Sequence, residues 1–294
     1  MSPDTSTDAD RAVPTRTLVE SLIREDATVD AGELYEVANT LGMSDQQVRL
    51  CIKRLVAEGQ FVQDGRGRKA VLRATPEVRS TIEPDLEFVR YMYAQDRGQA
   101  DWDHEWHVVA FAIGESARAA RDAMRDAVLR LGGAPIQGGL YVSPNAWEPH
   151  VRAAADRLGV SDRVTILTTT DLDVGGVTEP QALAGALWPL EAIADGHRRL
   201  LATAERSVHA LPGATRAVRL GVAIELAAEF TRAVEPDPLL PPQLLPQPWI
   251  GAVARAAVAD CWSDLLRDDQ PEPLNLFRWY ADVIAEVAGI ARRQ

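Results

Sequence analysis

Between Arg49 and Arg73 stand seven cations and two acids, in a chain whose formal charge is −12. The cations are Arg49, Lys53, Arg54, Arg66, Arg68, Lys69 and Arg73; the acids are Glu58 and Asp64. A basic island on an acidic protein can neutralise phosphates while the remaining surface repels nonspecific polyanions. The spacing divides the island into two sets. Gln46, Arg49 and Lys53 recur at helical intervals and share one face, with Leu50 and Arg54 beside it. Arg66, Arg68 and Lys69 crowd a short link that carries Gly65 and Gly67, residues that permit a sharp reversal. Side chains of the first kind can read base edges, and cations of the second kind track phosphates or enter a minor groove.

The elements around these residues must hold them in place. Leu34, Val37, Ala38 and Leu41 predict a helix with one apolar face, and Gly42 suits the left-handed position after its end. Ser44 predicts the cap of a second helix, with Gln47 at capping-box spacing. Val48, Cys51, Ile52 and Leu55 are its inner stripe, and Gly59 closes it. Phe61-Val62 and Val71-Leu72 predict two short strands on either side of the cationic link. The sum is a winged helix-turn-helix over residues 16–75, built to place one helix in a DNA groove. The expected DNA-binding residues are Ser44, Gln46, Gln47, Arg49, Lys53, Arg54, Arg66, Arg68 and Lys69. Among them Gln47 and Arg54 are expected to cap or touch the backbone. The expected partner is double-stranded operator DNA. A second copy of the chain is also expected, since one recognition helix reads only a short half-site.

The chain has 294 residues, 46% of them apolar and 25% charged, enough for two or three soluble globular domains. The longest apolar runs, such as Val108 to Ile113, are far short of a membrane span, and no secretory leader is visible. Cys51 lies on a helical core stripe and Cys261 is its only companion. A reducing cytoplasm is the expectation. Residues 1–15 are small, polar and acidic and predict a disordered tail.

Residues 76–98 read as a connecting helix, broken near Pro84. A different pattern fills 99–172. Trp106 to Ile113 predicts a strand, and Glu115 to Leu131 a helix with Ala119, Met124, Val128 and Leu131 inside. Ala134 to Gln137 and Leu140 to Ser143 predict a hairpin turning at Gly138-Gly139. A helix over Ala146 to Leu158 and a strand over Val164 to Thr170 complete a βαββαβ order, the ferredoxin-like arrangement. After the linker Asp173 to Pro180, residues 181–294 read as a helical part. Its helices are expected over Leu183 to His209 with an offset near Pro189, Thr215 to Val234, Gly251 to Leu266 and Leu274 to Arg292. Pro236, Pro238, Pro241, Pro242, Pro246 and Pro248 forbid regular structure between the second and third. Leucines and Trp249 among those prolines predict a segment pinned to a core. The fold class is α+β.

Other chemistries find less support. His104 and His107 lie three apart, a ligand spacing on a helix, but His107 opens a strand and no third ligand is apparent. No metal site is expected; His150, His197 and His209 look isolated. No Gly-rich phosphate loop or nucleophile elbow is present, and no catalytic residue is assigned. The enzyme alternative is a ferredoxin-like nuclease using Glu115 near the end of the first strand. A scaffold that has lost DNA binding is the third alternative, although it would not need the cations at 49, 53, 66, 68 and 69.

Three patches together resemble the PaaX family of bacterial transcriptional repressors, over roughly Arg16 to Arg267. The first is Gly42, Val48-Arg49, Arg54-Leu55, Gly59, Gly67-Arg68, Leu72 and Thr75. The second is Trp102 and Trp106, with Gly139 and Ser143-Pro144. The third is Asp237-Pro238, Leu240-Pro241, Leu244-Leu245-Pro246, Trp249 and Gly251, similar to the family signature DPxLPxxLLPxxWPG. Ile250 stands where that signature has proline, His104 where glycine is usual, and Leu50 and Cys51 where small or hydroxylated residues are usual. The resemblance implies a homodimeric repressor of the phenylacetate-catabolism type, with a winged helix, a ferredoxin-like middle and a helical C-terminal part. It implies no cofactor, and release from DNA by an acyl-CoA effector such as phenylacetyl-CoA. Arg118, Arg121, Arg125, Arg198 and Arg199 are the cations available for the CoA phosphates.

Overall fold

A computed structural model describes residues 13–81, 86–267 and 274–277. The tail up to residue 12, the surroundings of Pro84 and most of the helix expected over Leu274 to Arg292 lie outside them. The described residues fall into two compact units. The first draws on residues within 1–90, 199–231 and 254–294, the second on 91–198 and 232–253.

In the first unit the chain runs α1 (Thr15–Ser21), β1 (Thr28–Asp30), α2 (Ala31–Thr40), α3 (Asp45–Ala57), β2 (Phe61–Asp64) and β3 (Val71–Ala74), followed by α4 (Pro76–Thr81). The three strands form an antiparallel sheet in the order β1-β3-β2. The expected winged helix-turn-helix is present, with Gly42 at φ 73° between its two helices. Sequence reasoning missed α1 and β1. Three residues carry no readable alternation, and β1 pairs far along the chain, Thr28 opposite Arg73.

The helix α5 (Leu86–Asp96) leads into the second unit. There β4 (Trp106–Phe111), α6 (Arg118–Arg130), β5 (Ala134–Gln137), β6 (Leu140–Ser143), α7 (Glu148–Leu158) and β7 (Val164–Thr169) follow one another. The sheet order is β5-β6-β4-β7, with every pairing antiparallel. That is the ferredoxin-like topology the sequence order predicts. Gly138 and Gly139, both at positive φ, make the hairpin turn that residues with a Cβ disfavour. One expected core position is corrected. Ala119 is exposed and Ala127 is buried, because a 3-10 turn opens the helix and the stripe steps back from Met124 to Ala120 and Ala117.

Period-two alternation in β4 divides its side chains between two cores. Val109 and Phe111 pack with Met124, Val128 and Val151 of α6 and α7. Trp106 and Val108 face the other way, against Trp188, Leu240, Leu244 and Trp249. That second core is completed by α8 (Pro180–Leu187) and the start of α9 (Leu190–Ala210), which Trp188-Pro189 separates as expected. Further along the described residues come α10 (Arg216–Val234) and α11 (Ile250–Leu266).

The proline segment is indeed pinned. Leu239, Leu240, Leu244, Leu245 and Trp249 are buried. Asn145 Nδ2 donates to the carbonyls of Pro238 at 3.3 Å and Leu239 at 2.9 Å, and Gln95 Nε2 donates to Leu239 at 3.0 Å. His197, isolated along the sequence, is buried and bonded to Asp237.

Candidate nucleic-acid interface

The recognition helix is α3, and its start is well fixed. Gln47 N donates to Ser44 Oγ at 3.3 Å, and Ser44 N donates to Gln47 Oε1 at 2.8 Å. This capping box satisfies amide donors that the first turn of a helix leaves open. It also engages Ser44 and Gln47 within the protein. Val48, Cys51, Ile52 and Leu55 are buried beneath, which leaves Gln46, Arg49, Leu50 and Lys53 exposed on the outer face. Leu50 is 59% exposed, an apolar group among cations. Arg54 leans back toward Glu58 of its own helix at 3.8 Å.

The wing is the β2–β3 hairpin. Residues 62–69 are all exposed, so its tip offers Arg66 and Lys69 to solvent. The tip is not a free loop. Residues Gly67–Lys69 form a 3-10 turn, and Ala31 N donates to Ala70 O at 3.0 Å, which anchors the wing to the start of α2. Arg68 turns inward. Its guanidinium donates to Asp45 at 3.1 Å and lies 5.1 Å from the centre of the Tyr35 ring. A crevice of about 300 Å³ separates α3 from the wing, lined by Tyr35, Arg49, Ile52, Lys53, Gln63 and Leu72 among others. The structure therefore gathers Arg49 and Lys53 on the helix side of one surface that has the wing on its other side. Among the described residues none of Arg49, Lys53, Arg66 and Lys69 forms an ion pair.

The helix-turn-helix is braced from the helical part of the same unit. Glu33 of α2 accepts from Arg24 at 2.9 Å and from Arg216 of α10 at 2.7 Å. Gly221 of α10 lies so close to the end of α2 that a Cβ there would meet Thr40 Oγ1 at 2.7 Å. Sequence reasoning missed Tyr35, Asp45 and this brace, since none of these contacts leaves a local pattern.

The remaining candidates take other forms. His107 is buried between two carboxylates, with Nδ1 2.6 Å from Glu148 and Nε2 3.3 Å from Asp103. His104 lies against the Trp102 ring, 4.9 Å between centres. Glu115, the acid of the nuclease alternative, sits exposed in the turn before α6 and pairs with Arg121 at 2.9 Å. The five arginines considered for CoA phosphates each have a carboxylate neighbour: Arg118 with Asp122, Arg121 with Glu115, Arg125 with Asp126, Arg198 with Glu191, and Arg199 with Glu229. Burial pushes both cysteine thiols up, Cys261 to about 11.

No helix among the described residues is long and apolar enough to cross a membrane. Residues 99–184 match the family described as the PaaX protein central Cas2-like domain, and residues 188–270 match the PaaX-like protein C-terminal domain. No curated protein matches the chain. Its fold is similar to a solved structure titled uncharacterized protein Rv0674 from Mycobacterium tuberculosis. The TM-score is 0.50 and the identity 25%, over 85% of this chain and 93% of that one.

Proposed function

Since the chain belongs to the PaaX family of transcriptional regulators, we propose that it is a DNA-binding repressor of a catabolic operon. It acts as a homodimer in the cytoplasm and is released by an acyl-CoA such as phenylacetyl-CoA. The observation that carries this reading is the surface of α3 and the wing. Gln46, Arg49, Leu50 and Lys53 are exposed on the helix, and Arg66 and Lys69 on the wing, in a chain that is acidic elsewhere. The helix presents a donor pattern suited to base edges in a major groove, and the wing supplies point charges for the flanking phosphates. Two copies supply two such surfaces, which a two-fold operator matches. An effector needs only to change their separation, and a coupling of about 1–3 kcal/mol suffices to switch occupancy.

The test is fluorescence anisotropy of the purified protein on DNA from its own upstream intergenic region, titrated with salt and then with phenylacetyl-CoA and other acyl-CoAs. Specific binding released by one of them supports the whole reading. Specific binding that none releases keeps the repressor and removes the acyl-CoA effector. Binding no tighter than to random DNA removes the repressor.

A further inference from the structure

We propose that Arg68 is a positioning residue, a latch that holds the wing against the recognition helix instead of meeting DNA itself. The proposal rests on the DNA-binding reading for its functional consequence, and on geometry alone for the latch. Among the described residues Arg68 is the wing cation that pairs with the recognition helix, and its partner is the first residue of that helix. A single guanidinium nitrogen, Nη2, donates to Asp45 Oδ2 at 3.1 Å and is shared with Oδ1 at 3.4 Å. Its face covers Tyr35, a ring that is itself buried. A guanidinium suits this double task because it is planar and keeps its charge while stacked on a ring.

The contact does two things. The base of the wing is held by the β1–β3 pairing, but its residues 62–69 are all exposed, so few apolar contacts fix the tip. Arg68, with the Ala31–Ala70 backbone bond, ties the tip to α2 and α3 and so sets the gap between Arg66 and Lys69 on one side and Arg49 and Lys53 on the other. The contact also cancels a misplaced charge. The amino end of a recognition helix favours a phosphate, and Asp45 puts a carboxylate at that end. Paired with Arg68, that carboxylate no longer repels the backbone.

The decisive variant is Asp45→Asn, because the alternatives predict opposite signs. If Arg68 were a phosphate ligand, Asp45→Asn would free it and remove an acid beside DNA, so binding would tighten. A latch predicts weaker binding, by about three- to tenfold, as the competent wing position becomes one of several. The double variant Arg68→Ala with Asp45→Asn keeps the net charge. It should bind about as weakly as Asp45→Asn, and less weakly than Arg68→Ala, which leaves the Asp45 carboxylate unpaired, with an unchanged dependence on salt, whereas loss of a phosphate ligand lowers the slope of log K on log salt by about one. Arg66→Ala serves as the phosphate-contact control. Amide exchange over residues 61–74 without DNA reads the latch directly and should quicken in both single variants. Tighter binding by Asp45→Asn, or unaltered exchange, overturns the proposal. Failure of the wild-type chain to bind its upstream DNA removes the repressor reading, while the exchange measurement still decides the latch.

Discussion

His197 Nε2 lies 2.7 Å from Asp237 Oδ2, and both residues are buried. The bond joins α9 to the first turn of the proline segment, where Asp237 Oδ1 also accepts from Leu239 N at 2.9 Å. Asp237 thus orders a stretch of chain that prolines exclude from α-helix and sheet. Truncation to alanine strands a buried imidazole and a buried amide, each costing about 1–3 kcal/mol when left without a partner. Asp237→Ala should lower stability by about 2–4 kcal/mol, and Asp237→Asn by less, because the amide oxygen still accepts. The urea midpoint measures both. An alanine variant as stable as the wild type would show that the pair contributes nothing net.

Ser44 and Gln47 close a capping box at the start of α3. Ser44→Ala removes the acceptor for Gln47 N, a loss of about 1 kcal/mol. The expected result is a lower melting temperature with unchanged binding chemistry, so DNA affinity should fall little at temperatures well below the transition. A large loss of affinity without a shift in melting would instead make Ser44 a direct DNA contact.

Both of these features differ in how far the sequence announced them. The capping box was legible because its members lie three residues apart. The ferredoxin-like order was legible because each strand and helix carries its own periodicity, and Gly138-Gly139 marks its hairpin. The burial of the proline segment was legible from the leucines between its prolines. What was hidden joins residues far apart: His197 to Asp237, Thr28 to Arg73, and Arg68 to Asp45. No local pattern selects such partners, since the intervening chain must fold before they meet. The candidate interface was accordingly read as a set of cations, and only the structure separates Arg68, which is engaged, from Arg66 and Lys69.

Gly221 of α10 lies against the end of α2. A Cβ would stand 2.7 Å from Thr40 Oγ1, a hydroxyl already bonded to Val37 O at 2.7 Å. Gly221→Ala gains helix propensity worth about 1 kcal/mol. Overpacking of about 1–3 kcal/mol outweighs it. The variant should therefore melt lower, and Thr40→Ala in the same chain should recover much of the loss by removing the clashing oxygen. No recovery would place the strain elsewhere.

Cys261 is fully buried in α11, and burial with the nearby Asp264 raises its thiol from 9.0 to about 11. The neutral thiol is favoured in the folded state. Its contribution is therefore complete below pH 9 and is lost as pH rises from 9.0 toward 11, where the unfolded chain ionises first. The loss from this group is about 2–3 kcal/mol. Stability should fall across that window in the wild type and fall less in Cys261→Ala, a variant with a lower starting stability. Thiol reagents at pH 8 should label neither Cys261 nor Cys51 quickly in the folded protein, and both on unfolding.

Arg49 belongs to the recognition helix and Lys69 to the wing, and they should fail in different ways. Arg49 projects from the exposed face of the recognition helix, where a guanidinium can take two acceptors of one guanine. Arg49→Ala should cost about 1–3 kcal/mol on the operator and much less on random DNA, so the specificity ratio falls. Lys69 is an exposed point charge on the wing tip. Lys69→Ala should weaken operator and random DNA alike and reduce the salt slope by about one. Anisotropy titrations on both DNAs at several salt concentrations separate the two behaviours. A uniform loss in Arg49→Ala would reassign that residue to the phosphates, and a loss in Lys69→Ala confined to the operator would place the wing in a groove.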